Sequence, residues 1–93
     1  MANNRKLYTK QQISDRDDIE KELSSIPIQH PLVAKITSAK GFASYYVRMK
    51  DLYNTHADAY ERLEEYHYAI TGHRRYSEYD SFRVVFKKNE ENK

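Results

Sequence analysis

Three features of this 93-residue chain predict an all-α fold, a small bundle of three to five helices. The stretch from Phe42 to Thr71 contains neither glycine nor proline. Within it, Tyr46, Met49, Tyr53, His56, Tyr60, Leu63, His67 and Ile70 recur at alternating spacings of three and four. That is the period of a helical seam. Pro27, Pro31, Gly41 and Gly72 are the only prolines and glycines, and each falls where a helix would start or stop. Finally, hydroxyl and carboxyl residues stand ahead of the apolar runs, where helix caps belong.

The elements follow in order. Residues 1–12 are polar and read as a flexible N-terminal arm before a single helical domain over residues 13–89, with 90–93 a solvated tail. Ser14 or Asp15 can cap a first helix ending near Ser25. Asp17, Asp18 and Glu20 would then occupy its positive end. Ile19, Leu23 and Ile26 give it a narrow apolar stripe. The turn IPIQHP leads to a second helix with Pro31 at its first position and Gly41 as its stop. The segment of about residues 42–71 is a long or kinked central helix. If continuous it would extend about 45 Å. Thr55 and Asp58 resemble a capping box and favour a break at Asn54–Thr55. Gly72 ends this segment, and Ser77 with Asp80 would cap a last helix with an apolar face of Tyr79, Phe82, Val85 and Phe86.

Composition narrows the function. Leu, Ile, Val and Phe account for only 18 residues, whereas nine are tyrosine. Tyrosine buries a large ring but needs a partner for its hydroxyl, so the expected core is wet at its edges or completed by another chain. The absence of cysteine excludes disulfides, thiolate metal sites and a cysteine nucleophile. The first fifteen residues carry no apolar run of a secretory signal, and no stretch is long and apolar enough to span a bilayer. A cytoplasmic setting with no membrane partner is expected.

Few residues are arranged for catalysis. Glu64-x-x-His67 places a carboxylate and an imidazole one turn apart, as in half of a di-iron motif, but no second copy occurs in the chain. No phosphate-binding glycine loop or nucleophile elbow is present. The expectation is a non-enzyme with no catalytic residue, metal or cofactor.

The charge pattern carries more information. Net charge is only +2, yet residues 15–22 hold five acids against two bases, and no acid occurs from Leu23 to Lys50. Lys40, Arg48 and Lys50 lie in that acid-free stretch, with Lys35 ahead of them, and Arg74, Arg75, Arg83, Lys87 and Lys88 form a second basic cluster. Cations of this kind release counterions from phosphates. Neighbouring tyrosines Tyr45, Tyr46, Tyr76 and Tyr79 could stack on bases. A helix-turn-helix drawn over residues 31–54 would present Ser44, Tyr45, Arg48 and Asp51 to a groove. The leading expectation is a small accessory protein, DNA-binding or regulatory. In it Arg74 and Arg75 grip phosphate, Arg83, Lys87 and Lys88 extend that patch, and Lys40, Arg48 and Lys50 form a second contact. The alternative is a protein-interaction module, self-associating or part of a larger assembly, that uses Tyr46, Tyr53, Tyr60 and Tyr66 on its helix face.

Overall fold

A computed structural model describes residues 7–26 and 30–91 of the chain. Every regular element among them is helical: α1 (Lys10–Ser25), α2 (His30–Thr37), α3 (Ala39–Met49), α4 (His56–Thr71) and α5 (Tyr79–Glu91). The helical bundle expected from sequence is the observed fold. No helix among the described residues is long and apolar enough to cross a membrane.

Helix α1 starts earlier than Ser14. Thr9 caps it, accepting from the Gln12 amide at 3.0 Å while the Gln12 side chain accepts from the Thr9 amide at 2.9 Å. This reciprocal box satisfies two otherwise orphaned donors. Residues 10–12, assigned to the arm, are therefore helical. The acids at 15, 17 and 18 lie beyond the first turn, which holds no acid. Ile19, Leu23 and Ile26 are buried as their spacing requires. Residues 27–29 of the IPIQHP turn lie outside the described residues, as do residues 92–93 of the expected tail. Glu91 still belongs to α5.

Gly41 is not a helix stop. Helix α2 ends at Thr37, Ser38 alone forms the turn, and α3 is under way by Gly41. The Ser38 hydroxyl accepts from the Gly41 amide at 2.9 Å and so caps α3. The glycine is needed for space, since a Cβ there would lie 1.7 Å from the Lys35 carbonyl oxygen. The first turn of α3 thus rests directly on the last-turn backbone of α2.

The segment 42–71 is two helices. Lys50 closes α3, a turn covers residues 50–55, and Thr55 caps α4 by accepting from the Asp58 amide at 2.9 Å. Gly72 ends α4 in the left-handed region at φ 85°, with its amide on the Tyr68 carbonyl at 2.8 Å. The expected Ser77–Asp80 cap does not form the start of α5. Ser77 meets the Ser81 hydroxyl at 3.2 Å, and the first helical bond runs from the Phe82 amide to the Glu78 carbonyl.

Helix α3 lies at the centre, packed on α1, α2 and α4, and α4 also meets α2 and α5. Phe82 secures α5. Its ring stacks on Tyr60 (5.2 Å between centroids) and Phe86 (5.5 Å), and meets Phe42, Tyr46 and Tyr76 edge-on. Such pairs add to the ordinary gain of burying a large ring. The tyrosine hydroxyls end on polar partners: Tyr45 donates to Glu22 at 2.8 Å, and Tyr46 and Tyr79 pair at 3.0 Å.

The two glycines predict different penalties. Gly41→Ala should cost about 3 kcal/mol by forcing α2 and α3 apart. Gly72→Ala, whose Cβ would meet nothing within 4 Å, should cost only about 1–2 kcal/mol of backbone strain. Urea unfolding of both variants, followed by circular dichroism, measures the difference.

Candidate nucleic-acid interface

The loop TGHRRYS between α4 and α5 is built around a buried carboxylate. Glu64 is fully buried. Its Oε1 accepts from the Arg75 amide at 2.8 Å, and its Oε2 accepts from the Tyr76 amide at 2.9 Å and from the Tyr60 hydroxyl. Three donors compensate a charge that would otherwise be costly inside a protein. Burial and this bond to Glu64 push the Tyr60 phenol well above its ordinary pKa. One turn further along, buried His67 places Nδ1 2.7 Å from the His73 carbonyl, which also accepts from Thr71 Oγ1 at 2.9 Å. The Glu64-x-x-His67 pair therefore binds the loop. No group of three or more metal-ligating side chains is assembled among the described residues.

The arginines of this loop are engaged within the chain, Arg74 at the surface and Arg75 half-buried. Arg74 forms an ion pair with Glu61 at 2.8 Å, and its Nε and Nη2 donate to the Tyr76 carbonyl and the Tyr60 hydroxyl at 3.1 and 3.3 Å. The bond to Glu61 raises its pKa further. Half-buried Arg75 donates from Nη1 to the Thr37 carbonyl at 2.7 Å and lies over the Tyr76 ring. Thr37 is the last residue of α2, so Arg75 neutralises the negative end of that helix. Its Nε is buried without a partner. Arg48 reaches both oxygens of Glu22 at 3.2 Å. The fork from Arg48 holds the Glu22 carboxyl below its usual range. A phosphate approaching Arg48, Arg74 or Arg75 would compete with these bonds, which give the arginines a structural role.

The remaining cations face solvent. Lys40, Lys87 and Lys88 are exposed, Lys50 is half-buried, and exposed Arg83 pairs with Asp80 one turn away at 3.1 Å. On α3 the exposed residues Lys40, Ser44, Val47 and Arg48 follow the spacing i, i+4, i+7, i+8 and share one face. Lys35 of α2 lies beside them, its Nζ 4.9 Å from the centroid of Tyr45. Two members of the expected groove-facing set do not join: Tyr45 is fully buried beneath the face, and Asp51 lies beyond the helix end. Arg83 sits over Tyr79, whose hydroxyl bonds Tyr46 of α3, so the cation row of α5 starts next to α3. Val47, which no charge or motif marks in the sequence, joins this face because its position lies off the buried stripe of α3.

The tyrosine seam turns into the chain itself. Tyr46 and Tyr60 are core residues. Tyr53 and Tyr66 are half-buried, and both hydroxyls donate to Glu20, which Arg62 also bonds at 2.9 Å. Burial raises the pKa of Glu20, but bonds from Arg62, Tyr53 and Tyr66 outweigh it and the net shift is downward. An open groove of about 650 Å³ runs past this cluster, lined by Asp17, Glu20, Lys21, Ser24, Ser25, Arg62 and Tyr66. Another of about 370 Å³ lies by Tyr8, Arg16, Tyr53, Asn54 and Asp58. No protein-family model matches the chain, and neither the curated proteins nor the solved structures include a match to it.

Two outcomes are expected. Glu64→Gln turns an acceptor into a donor facing donors and should destabilise the chain by about 2–3 kcal/mol in urea unfolding. Glu20 and Glu22 have depressed pKa values in the folded state, so their contribution is complete above the unfolded value near 4.5 and is lost as pH falls through the lower folded values. The urea midpoint should be flat from about pH 7 to 5 and fall below it, and Glu20→Gln should flatten the fall.

Proposed function

We propose that the chain is a small non-enzymatic accessory domain of the cytoplasm that binds DNA through the exposed face of α3, in a regulatory role. The observation that carries this is the placement of Lys40, Ser44 and Val47 on one exposed stripe of α3, with Arg48 at its edge tied to Glu22 of α1. Lys35 and Lys50 add charge at its edges, and Arg83, Lys87 and Lys88 form a separate row on α5, which packs on the buried Tyr46 side of α3. A surface of this kind attracts the phosphate backbone by counterion release and leaves a helix face free to enter a groove. The non-catalytic assignment is supported by the buried ionisable groups. Glu64 and His67 are buried and engaged by loop amides and a loop carbonyl, which gives them a structural role.

A second reading draws on α5. Val84 is 67% exposed and Val85 is 38% exposed, side by side on the helix surface. A protein-interaction module, whether a homodimer or a component of a larger assembly, would cover them. That association would be insensitive to salt, whereas DNA binding would not be.

Fluorescence anisotropy of a labelled duplex at about 50 and 200 mM salt separates the two. If three phosphates are neutralised, affinity should fall roughly 40-fold over that range. Lys40→Glu should weaken binding at least tenfold with helicity intact. Arg74→Ala should lower stability with little effect on the affinity of the folded protein. Binding that ignores Lys40→Glu but is lost in a folded Arg74→Ala variant would return the phosphate contact to the loop. No binding at low salt, with a concentration-dependent sedimentation coefficient, would favour the α5 interface.

A further inference from the structure

Resting on the DNA-binding function proposed above, we infer that α3 reads double-stranded B-form DNA in the major groove, with Val47 packed on the 5-methyl group of thymine. Three observations lead there.

The first concerns the form of the nucleic acid. Single-strand binders offer exposed aromatic faces on which bases stack. The rings beside the α3 face are not available for this. Tyr45 and Tyr46 are buried, and cationic side chains already lie over Tyr45, Tyr76 and Tyr79. Tyr68, an exposed ring, belongs to α4, which packs on the buried side of α3. The surface is therefore a helix without stacking platforms.

The second concerns shape. Helix α3 has 11 residues, about 16 Å at the standard rise. The B-DNA major groove, about 12 Å wide, admits such a helix, whereas the deep and narrow major groove of A-form RNA does not. Gly41 presses the start of α3 on α2, and Arg75 holds the end of α2. The helix is thus presented in a fixed orientation, as reading base edges requires.

The third concerns Val47. It is 47% exposed, and on the helix wheel Lys40 and Ser44 are its nearest exposed neighbours, with Arg48 beyond. A branched apolar side chain there contributes nothing to phosphate binding. In the major groove its natural partner is the thymine methyl, the one apolar group presented on a base edge. Exposed Ser44, whose hydroxyl can both donate and accept, and Lys40, a donor suited to guanine or phosphate, are chemically compatible with the same placement.

The test uses the intact chain at low salt and four probes of equal length: an alternating A–T DNA duplex, the same duplex with uracil in place of thymine, an oligo-dT single strand and an alternating A–U RNA duplex. The alternating sequence offers a thymine methyl in every register. The DNA duplex should bind at least tenfold more tightly than the single strand or the RNA duplex. Uracil substitution should weaken wild-type binding about fourfold for each methyl contacted, the value of one buried methyl group. Val47→Asn, a polar change at an exposed site, should fold normally and bind thymine and uracil duplexes equally. Equal wild-type affinity for the thymine and uracil duplexes would overturn the Val47 assignment. A single strand bound as tightly as the duplex would overturn the groove assignment. Both results leave DNA binding itself standing, whereas a folded protein that binds none of the probes removes both the inference and the function on which it rests.

Discussion

The carboxylate of Glu64 is the constraint on which the arrangement of this chain depends. A buried charge is tolerated only when its donors are in place. Here they are two consecutive backbone amides of the loop and one phenol from its own helix. Satisfying them fixes the path of residues 75 and 76. That path delivers Tyr76 to the ring cluster and Arg75 to the end of α2. One interaction on α4 thereby sets the entry of α5 and supports the α2–α3 junction. The His-Arg-Arg-Tyr loop is explained without a ligand: its cations and its aromatic ring are tethers.

The same chemistry recurs at lower burial. Glu22 accepts from Tyr45 and Arg48, and Glu20 accepts from Tyr53, Tyr66 and Arg62. The acids of α1 join it to α3, α4 and the turn between them. A chain with few aliphatic residues thus uses tyrosine rings as core volume and ends their hydroxyls on carboxylates. Half-exposed ion pairs contribute little alone. Joined with phenols around one acceptor they fix register, which a short apolar stripe such as Ile19–Leu23–Ile26 does weakly.

Much of the fold was legible in the residues. The break before Thr55, the stop at Gly72 and the apolar face of Tyr79, Phe82 and Phe86 follow from local signals, because each is satisfied within a few residues, whereas Val85, expected on that face, is exposed. The start of α1 was legible too, since Thr9-x-x-Gln12 is a capping box, but the acid cluster after Ser14 offered a competing cap. Gly41 misled for a different reason. Its role depends on the carbonyl of Lys35 across a turn, and glycine at a close approach looks the same in sequence as glycine at a helix end. The site was less legible. Spacing placed Lys40 and Arg48 near one another, but no spacing indicates that Arg74 meets Glu61, or that Arg75 reaches Thr37, 38 residues earlier. Such long-range pairs decide which cations remain at the surface.

Glu64 also bears on the order in which the chain can mature during synthesis. Helices α1 to α4 emerge first and hold nearly all of the core, yet their packing encloses an acid whose amide partners are not yet made. Until Tyr76 follows, closing that core would strand a charge in an apolar hollow. The amides of residues 75 and 76 close over this acid, so the loop that follows α4 completes an interior that the first four helices only outline.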